Sequence, residues 1–423
     1  MERYSEYKDS GVQWIGEIPS HWGLRKMKYC FKERSQKGYS QEPLLSATQS
    51  QGVIRKDMYE NRTVEAIKNL ETLKLVEVGD FVISLRSFQG GIEYSYCRGI
   101  ISPAYTILTP TDVTASYFKY LGKSLSFISL LKSTVTGIRE GQNIDYGKLR
   151  TNMIPMPSLE EQQSIASYLD KVTAKIDEAI VQQQRMIDLL SERKRIIIHN
   201  AVTKGLNPNI LMKDSGIDWI GKIPEHWNII KTSYVYTNIG SGTTPRSGQE
   251  DYYSDEGISF LQTGDLNDGY ITTSLKKITP KALNDLKLKI YRRNSLVIAM
   301  YGATIGKLGI LDIDSTVNQA CCVLSENKNM EVKYSFYYFM IAKPDLIMKS
   351  KGGGQPNISQ ETIKNERLLI PPLEEQKEIA DYIDKICLPI NTLISNYNRQ
   401  LLYLQEHKQI IINDVVTGKV KVS

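Results

Sequence analysis

The chain is 423 residues long, 41% hydrophobic and 24% charged, with a formal charge of +6, a length that allows two or three domains with their own cores and a composition typical of soluble globular proteins. The N-terminal MERYSEYKDS has no apolar stretch of the secretory kind, and no uninterrupted apolar run approaches the roughly 18 residues that a membrane span requires, so a cytoplasmic location without membrane contact is expected. Five cysteines, odd in number and without a C-x-x-C, predict reduced buried thiols and argue against a disulfide framework or a zinc site.

The sequence repeats itself. Residues 8–22, KDSGVQWIGEIPSHW, return at 213–227 as KDSGIDWIGKIPEHW, with 11 of 15 letters identical. A second pair, PSLEEQQSIASYLDKV from Pro157 and PPLEEQKEIADYIDKI from Pro371, lies 214 positions apart rather than 205. Two copies of one unit therefore bracket inserts that differ in length, and a period this long excludes short-repeat solenoids. The predicted organisation is a domain over 1–157, a helical spacer over 158–206, a second domain over 207–371 and a second helical spacer over 372–423.

The first insert, residues 23–156, reads as mixed α/β, with a β-rich run at 80–85 and glycine-bearing polar loops. Its loop candidates are Thr48, Gln49, Gln51, Arg86, Gln89, Arg139, Gln142 and Asn143. From Leu159 a helix is predicted, its apolar seam running through Ile165, Leu169, Val172, Ile176, Leu190 and Ile197 in alternating steps of three and four, as in a heptad repeat. Ser158 and Glu161 have the spacing of a capping box, and Gly205 is a plausible stop.

The second insert, residues 228–370, repeats the α/β pattern, with a matching β-rich run at 295–300. Its candidates are Thr243, Thr244, Arg246, Gln262, Thr263, Asn267, Tyr301, Thr304, Lys307, Asn318, Gln319, Lys351, Gln355 and Asn357. The second helix copies the seam of the first through Ile379, Ile383, Ile386, Ile390, Leu404 and Ile411, and Pro389, inside it, should kink or break it. Two amphipathic rods of one register are natural partners, so an antiparallel coiled coil with an internal pseudo-twofold repeat is expected, acting as a ruler between the inserts. Tyr168 and Tyr382, equivalent and off the seam, are available to partner proteins.

Charge and loop chemistry favour nucleic acid. The basic excess lies in the inserts: 21 Lys+Arg against 16 Asp+Glu over 1–157 and 19 against 17 over 206–371. Gln and Asn pair bidentately with adenine, Arg and Lys with guanine, and glycine admits a backbone amide to a phosphate. No reaction centre is visible. Residues 302–307 have three residues between glycines where a phosphate loop has four, and Leu308 follows the lysine instead of Ser or Thr. The amino-methyltransferase motif is absent, and His21 and His226, between Pro and Trp, read as packed turn residues. The rival classes are a self-sufficient nuclease or methyltransferase and a two-armed adaptor that never touches DNA.

The doubled D-S-G-x-x-W-I-G-x-I-P-x-H-W, the doubled P-x-L-E-E-Q-x-x-I-A, and the residues GTTP at 242–245 with GGQPNI at 353–358 resemble the specificity subunits of type I restriction-modification enzymes over essentially the whole chain. The resemblance implies two target recognition domains, each reading one half of a split asymmetric site in double-stranded DNA, with paired helices fixing the unread spacer. It also implies no catalysis by this chain and no cofactor bound to it. Two modification subunits would supply S-adenosylmethionine-dependent adenine methylation, and through them restriction subunits would supply ATP- and Mg²⁺-dependent cleavage. The first insert departs from the pattern in lacking the GTTP loop.

Overall fold

A computed structural model describes residues 2–58, 69–136, 143–246, 248–350 and 357–422. The chain divides into two units, residues 1–185 with 397–423 and residues 186–396. Each unit is built by the same rules, beginning with the doubled motif.

In the first unit the motif folds as a hairpin of Tyr7–Asp9 with Glu17–Pro19, and in the second as Met212–Asp214 with Lys222–Pro224. The D-S-G letters make the turn. Asp9 Oδ1 accepts the Gly11 N–H at 2.9 Å and Asp214 Oδ1 the Gly216 N–H at 2.9 Å. Both glycines sit at φ +65°, which L side chains rarely adopt.

The central sheets share one topology. The first unit orders its strands Phe31–Arg34, Thr106–Pro110, Phe81–Ile83, Glu93–Tyr94, all antiparallel. The second orders them Tyr236–Gly240, Cys321–Asn327, Leu296–Ala299, Leu308–Leu311, and adds Gly269–Ile271 in parallel at the edge. The β-rich runs seen in the sequence are the central strands, apolar on both faces because both are covered: Phe81 and Ile298 pack among helix residues, Val82 and Val297 among residues of other strands. Phe81 and Phe118 meet edge to face at 4.9 Å in one core; Tyr236, Tyr334, Tyr338 and Phe339 fill the other.

Two long helices, Leu159–Lys204 and Leu373–Val416, each give one half to each unit. Within the first unit Lys408 Nζ reaches Asp177 at 2.6 Å, and Ile411, Ile412, Val415 and Val416 pack in one cluster with Ile165, Leu169 and Ile176. Within the second, Lys194 Nζ meets Asn391 Oδ1 at 2.8 Å, while Ile198, Ala201 and Val202 share a cluster with Ile379, Ile383 and Cys387. In both, residues late in one helix meet residues early in the other, so the pairing is antiparallel.

The buried face departs from the heptad. Ile165, Ile176, Ile187 and Ile198 are the buried positions of the first helix at an eleven-residue step, and Ile379, Ile390, Leu401 and Ile412 those of the second. Each set lies 214 residues from the other. Met186 and Leu393, on the heptad line, are exposed, and Leu190, Ile197 and Ile386 are only partly buried. Eleven residues in three turns is 3.67 per turn, close to the 3.6 of a straight helix, so the seam follows the helix without the under-winding a heptad demands. Pro389 does not break the second helix, which continues through it to Val416. Its ring is exposed, so the Lys385 carbonyl it leaves without an intrahelical donor faces water.

The repeated motifs meet each other. Glu161, on the first turn of the first long helix, accepts from Trp22 Nε1 at 2.9 Å and Tyr4 OH at 2.7 Å, and its other oxygen lies 3.2 Å from His21 Nε2. Glu375 does the same for Trp227 Nε1 at 3.1 Å and His226 Nε2 at 2.8 Å. The capping box is therefore half formed: Ser158 Oγ takes the Glu161 N–H, but the carboxylate turns to the hairpin. Gln162 and Gln376 complete the joint, accepting the Thr114 and Glu331 N–H groups at 2.9 and 2.8 Å and donating to the Pro157 and Pro371 carbonyls. Where each helix ends, Gly418 packs on Pro19 and Trp22 of the first hairpin, and Gly205 on Pro224 and Trp227 of the second.

Candidate nucleic-acid interface

In the second unit four loops converge at one end of the central sheet. The loop of residues 240–246 is drawn in by its glycine: a Cβ on Gly242 would lie 1.8 Å from the Val317 carbonyl oxygen, so only glycine permits this approach. Gly242 N–H then donates to the Asn318 carbonyl at 3.3 Å. Next along the loop, Thr244 donates both its N–H, at 3.0 Å, and its hydroxyl, at 2.5 Å, to Gln319 Oε1. Pro245 is buried and Arg246 exposed. The GTTP letters thus have separate tasks of close approach, clamping and burial.

Asn318 joins this loop to the next. Its N–H donates to the Leu261 carbonyl at 2.9 Å, beside Gln262 and Thr263, and its side-chain oxygen accepts the Ala320 N–H at 3.1 Å. Asn318 is accordingly buried and occupied within its turn, whereas Gln319 is exposed. Gln262 begins a short turn in which its N–H donates to Asp265 Oδ2 at 2.7 Å, and Asn267 stays exposed beyond it. Tyr301 forms an isolated bridge with Asn357, and Thr304 and Lys307 lie in the same 301–307 connection. Gln360 Nε2 donates to Ser241 Oγ at 2.8 Å, closing the ring of loops. An open groove of about 460 Å³ flanks this end, lined by Thr244, Pro245, Tyr253, Leu275, Lys276 and Lys277.

The first unit gathers fewer of its candidates. Strands Leu45–Thr48 and Gly52–Arg55 form a hairpin whose turn is tied by Thr48: its hydroxyl donates to the Gly52 carbonyl at 2.9 Å and accepts the Gln51 N–H at 3.0 Å. Thr48 is buried and spent on that turn. Gln49 and Gln51 are exposed at the tip, and Gln49 Nε2 lies 3.5 Å from Gln89 Oε1 on the neighbouring Ser87–Gly90 turn, which Arg86 precedes. A residue absent from the sequence candidates holds the two together. Lys123 Nζ donates to the carbonyls of Gln49 and Gly90, at 3.1 and 3.0 Å, and to the buried Glu93 carboxylate at 2.6 Å. Burial pushes the Glu93 carboxyl up to about 7 against the opposing pull of Lys123. Asn143 is exposed on a two-residue strand paired with Val135–Thr136. Arg139, Gln142, Lys351 and Gln355 lie outside the described residues.

The sequence signals that would have found the missed residues differ. Glu161 and Glu375 were legible as partners of Trp22 and Trp227, since both ends of each contact belong to doubled motifs. Lys123 and Glu93 carry no such mark. Among the described residues no group of three or more His, Cys, Asp or Glu could hold a metal ion, and no helix is long and apolar enough to cross a membrane.

Comparison with known proteins gives this arrangement its relatives. Residues 224–403 match the type I restriction modification DNA specificity domain. The chain is 25% identical to a putative type I restriction enzyme MjaX specificity subunit of Methanocaldococcus jannaschii, with 96% of each covered. It is 28% identical to the MjaVIII specificity subunit of the same organism, over 70% of this chain and 68% of that one. A solved chain from work on complex assembly and conformational transition of the type I R-M system shares the fold, with a TM-score of 0.69 at 16% identity over 95% of this chain and 99% of that one. Doubled hairpins anchored on doubled helices, with unlike loops on like sheets, thus coincide with full-length similarity to one kind of protein, the specificity subunits of type I restriction-modification enzymes.

Proposed function

We propose that each unit of this specificity subunit reads one half of a split, asymmetric site in double-stranded DNA, through the loops at one end of its central sheet. The observation that carries the reading is the contrast inside a single chain: the sheet order, hairpin and helix anchor are the same twice, while the polar loops are different. Recognition domains over 1–157 and 207–371 follow, with the long helices setting the unread spacer. The chain contributes recognition and not catalysis. Two modification subunits supply S-adenosylmethionine chemistry, and restriction subunits joined through them use ATP and Mg²⁺. The complex works in the cytoplasm.

Sequencing of methylated adenines in cells carrying this chain with its partner subunits tests the reading. One bipartite motif with a fixed gap is the expected result, and exchanging residues 23–156 for another insert should change one half only. A contiguous motif, or changes in both halves, would refute it.

A further inference from the structure

Glutamine usually offers a base both an acceptor and a donor, and that pairing selects adenine. Gln319 cannot offer both. Its Oε1 takes two hydrogen bonds from Thr244, one from the backbone N–H at 3.0 Å and one from the hydroxyl at 2.5 Å. The backbone N–H is only a donor, so the atom facing it must be the oxygen, and the orientation of the amide is fixed by chemistry. Both lone pairs of Oε1 are thereby occupied, and the exposed side chain has only the two N–H donors of Nε2 left to present.

We propose that Gln319 is a specificity-determining residue that acts as a pure donor, reading acceptors on a base edge, with the N7 and O6 of guanine its best match and adenine's bidentate pair excluded. The inference rests on the DNA-reading function proposed above and adds the base class. It gives the GTTP loop a second role: Thr244 decides what Gln319 can read. The first unit supports the coupling of the two residues, because it lacks the GTTP loop and has Pro103 at the sheet position corresponding to Gln319: Thr106 pairs with Ile83 as Cys322 pairs with Ile298, and Pro103 and Gln319 each lie three residues before that pair.

The decisive variant is Gln319→Glu, assembled with the partner subunits and assayed for binding to a panel of sites with every base at each position of the wild-type motif. Glutamate retains an oxygen for Thr244 but replaces the free donor with an acceptor. Preference at one base pair should move from guanine toward cytosine, whose N4 is a donor, by about tenfold or more. Thr244→Val, which removes only the hydroxyl, should relax the same base pair and no other; thermal unfolding checks that both variants fold. Uniform weakening at every site, as a phosphate contact would give, overturns the proposal, and so does unchanged preference. If the wild-type complex selects no motif at all, it is the DNA-reading function that fails, and the two failures are thus distinguishable.

Discussion

The two units are alike where they are anchored and unlike where they are open. At the anchored end the correspondences run atom for atom: Trp22 and Trp227 donate to Glu161 and Glu375, and Tyr117 and Tyr334 donate to the carbonyls of Val416 and Val202, 214 residues apart. At the open end the second unit has a glycine-drawn loop clamped on Gln319, while the first has a hairpin held by a lysine on a buried glutamate. Joints require particular partners at particular distances, so they tolerate few sequences. Loop tips open to solvent are free to differ, which is where a reader of varied sites must vary.

The largest expected effects fall on the shared joints. Trp22 and Trp227 are both fully buried, so Trp22→Ala or Trp227→Ala should each cost about 3–5 kcal/mol, since the cavity cannot refill from a hairpin. Hydrogen exchange should place each loss in its own unit, the first for Trp22 and the second for Trp227. Losses spread evenly over both units would mean that the joints are not local.

Next is a difference between the copies. The second long helix has Pro389 where the first has Lys175, and the proline is exposed inside a continuous helix. Pro389→Ala restores one backbone hydrogen bond without a packing change and should stabilise the second unit by about 2–3 kcal/mol. Unchanged melting of that unit would show that the helix has adjusted around the ring at no cost.

Much of the scaffold was legible and little of the site, for a physical reason. Duplication displays the joints directly, and apolar runs display the central strands, because burial selects residue type. The heptad reading was near in phase at Ile165 and Ile379 but drifted: seven residues in two turns and eleven in three part company by a residue after about six turns, and the isoleucine runs at 196–198 and 410–412 hide the shift. The candidate loops show the limit more sharply. Thr48, Asn318 and Gln319 are equally polar letters, yet the first two are spent inside turns and the third is exposed. Which oxygen meets which N–H is decided by contacts from elsewhere in the chain, and no local pattern records it.

A pH effect separates the units at the next scale. The raised pKa of Glu93 means that the fold favours its protonated form, so the stability it contributes is fully present below the unfolded carboxyl range and is lost as pH rises through about 7. The first unit should therefore lose on the order of 2 kcal/mol between pH 5 and pH 8, and Glu93→Gln should abolish that slope. Glu366, buried beside Lys349 in the second unit, is raised by burial as well and gives a slope of the same sign, which Glu93→Gln leaves in place. A chemical denaturation series at four pH values, read separately for each unit, checks both.

The smallest effect tests how far the equivalence of the joints extends. Glu161→Gln and Glu375→Gln keep an oxygen for the tryptophan N–H and lose only the charge, which sits at a helix N-terminus and is worth about 0.3–1 kcal/mol there. In the first unit the carboxylate also accepts from Tyr4, whose phenol is kept protonated by burial and by Glu161 itself. The residue 205 positions later is Asn209, and the contacts of Glu375 are with Trp227 and His226. A hydrogen bond to a charged acceptor is stronger than one to a neutral amide, so Glu161→Gln should cost more than Glu375→Gln, by about 0.5–1 kcal/mol. Adding Tyr4→Phe should remove that excess, because the cycle then compares two joints with the same donors. Equal costs before the tyrosine is removed would mean that Tyr4 adds nothing to the first joint and that the two anchors are energetically one.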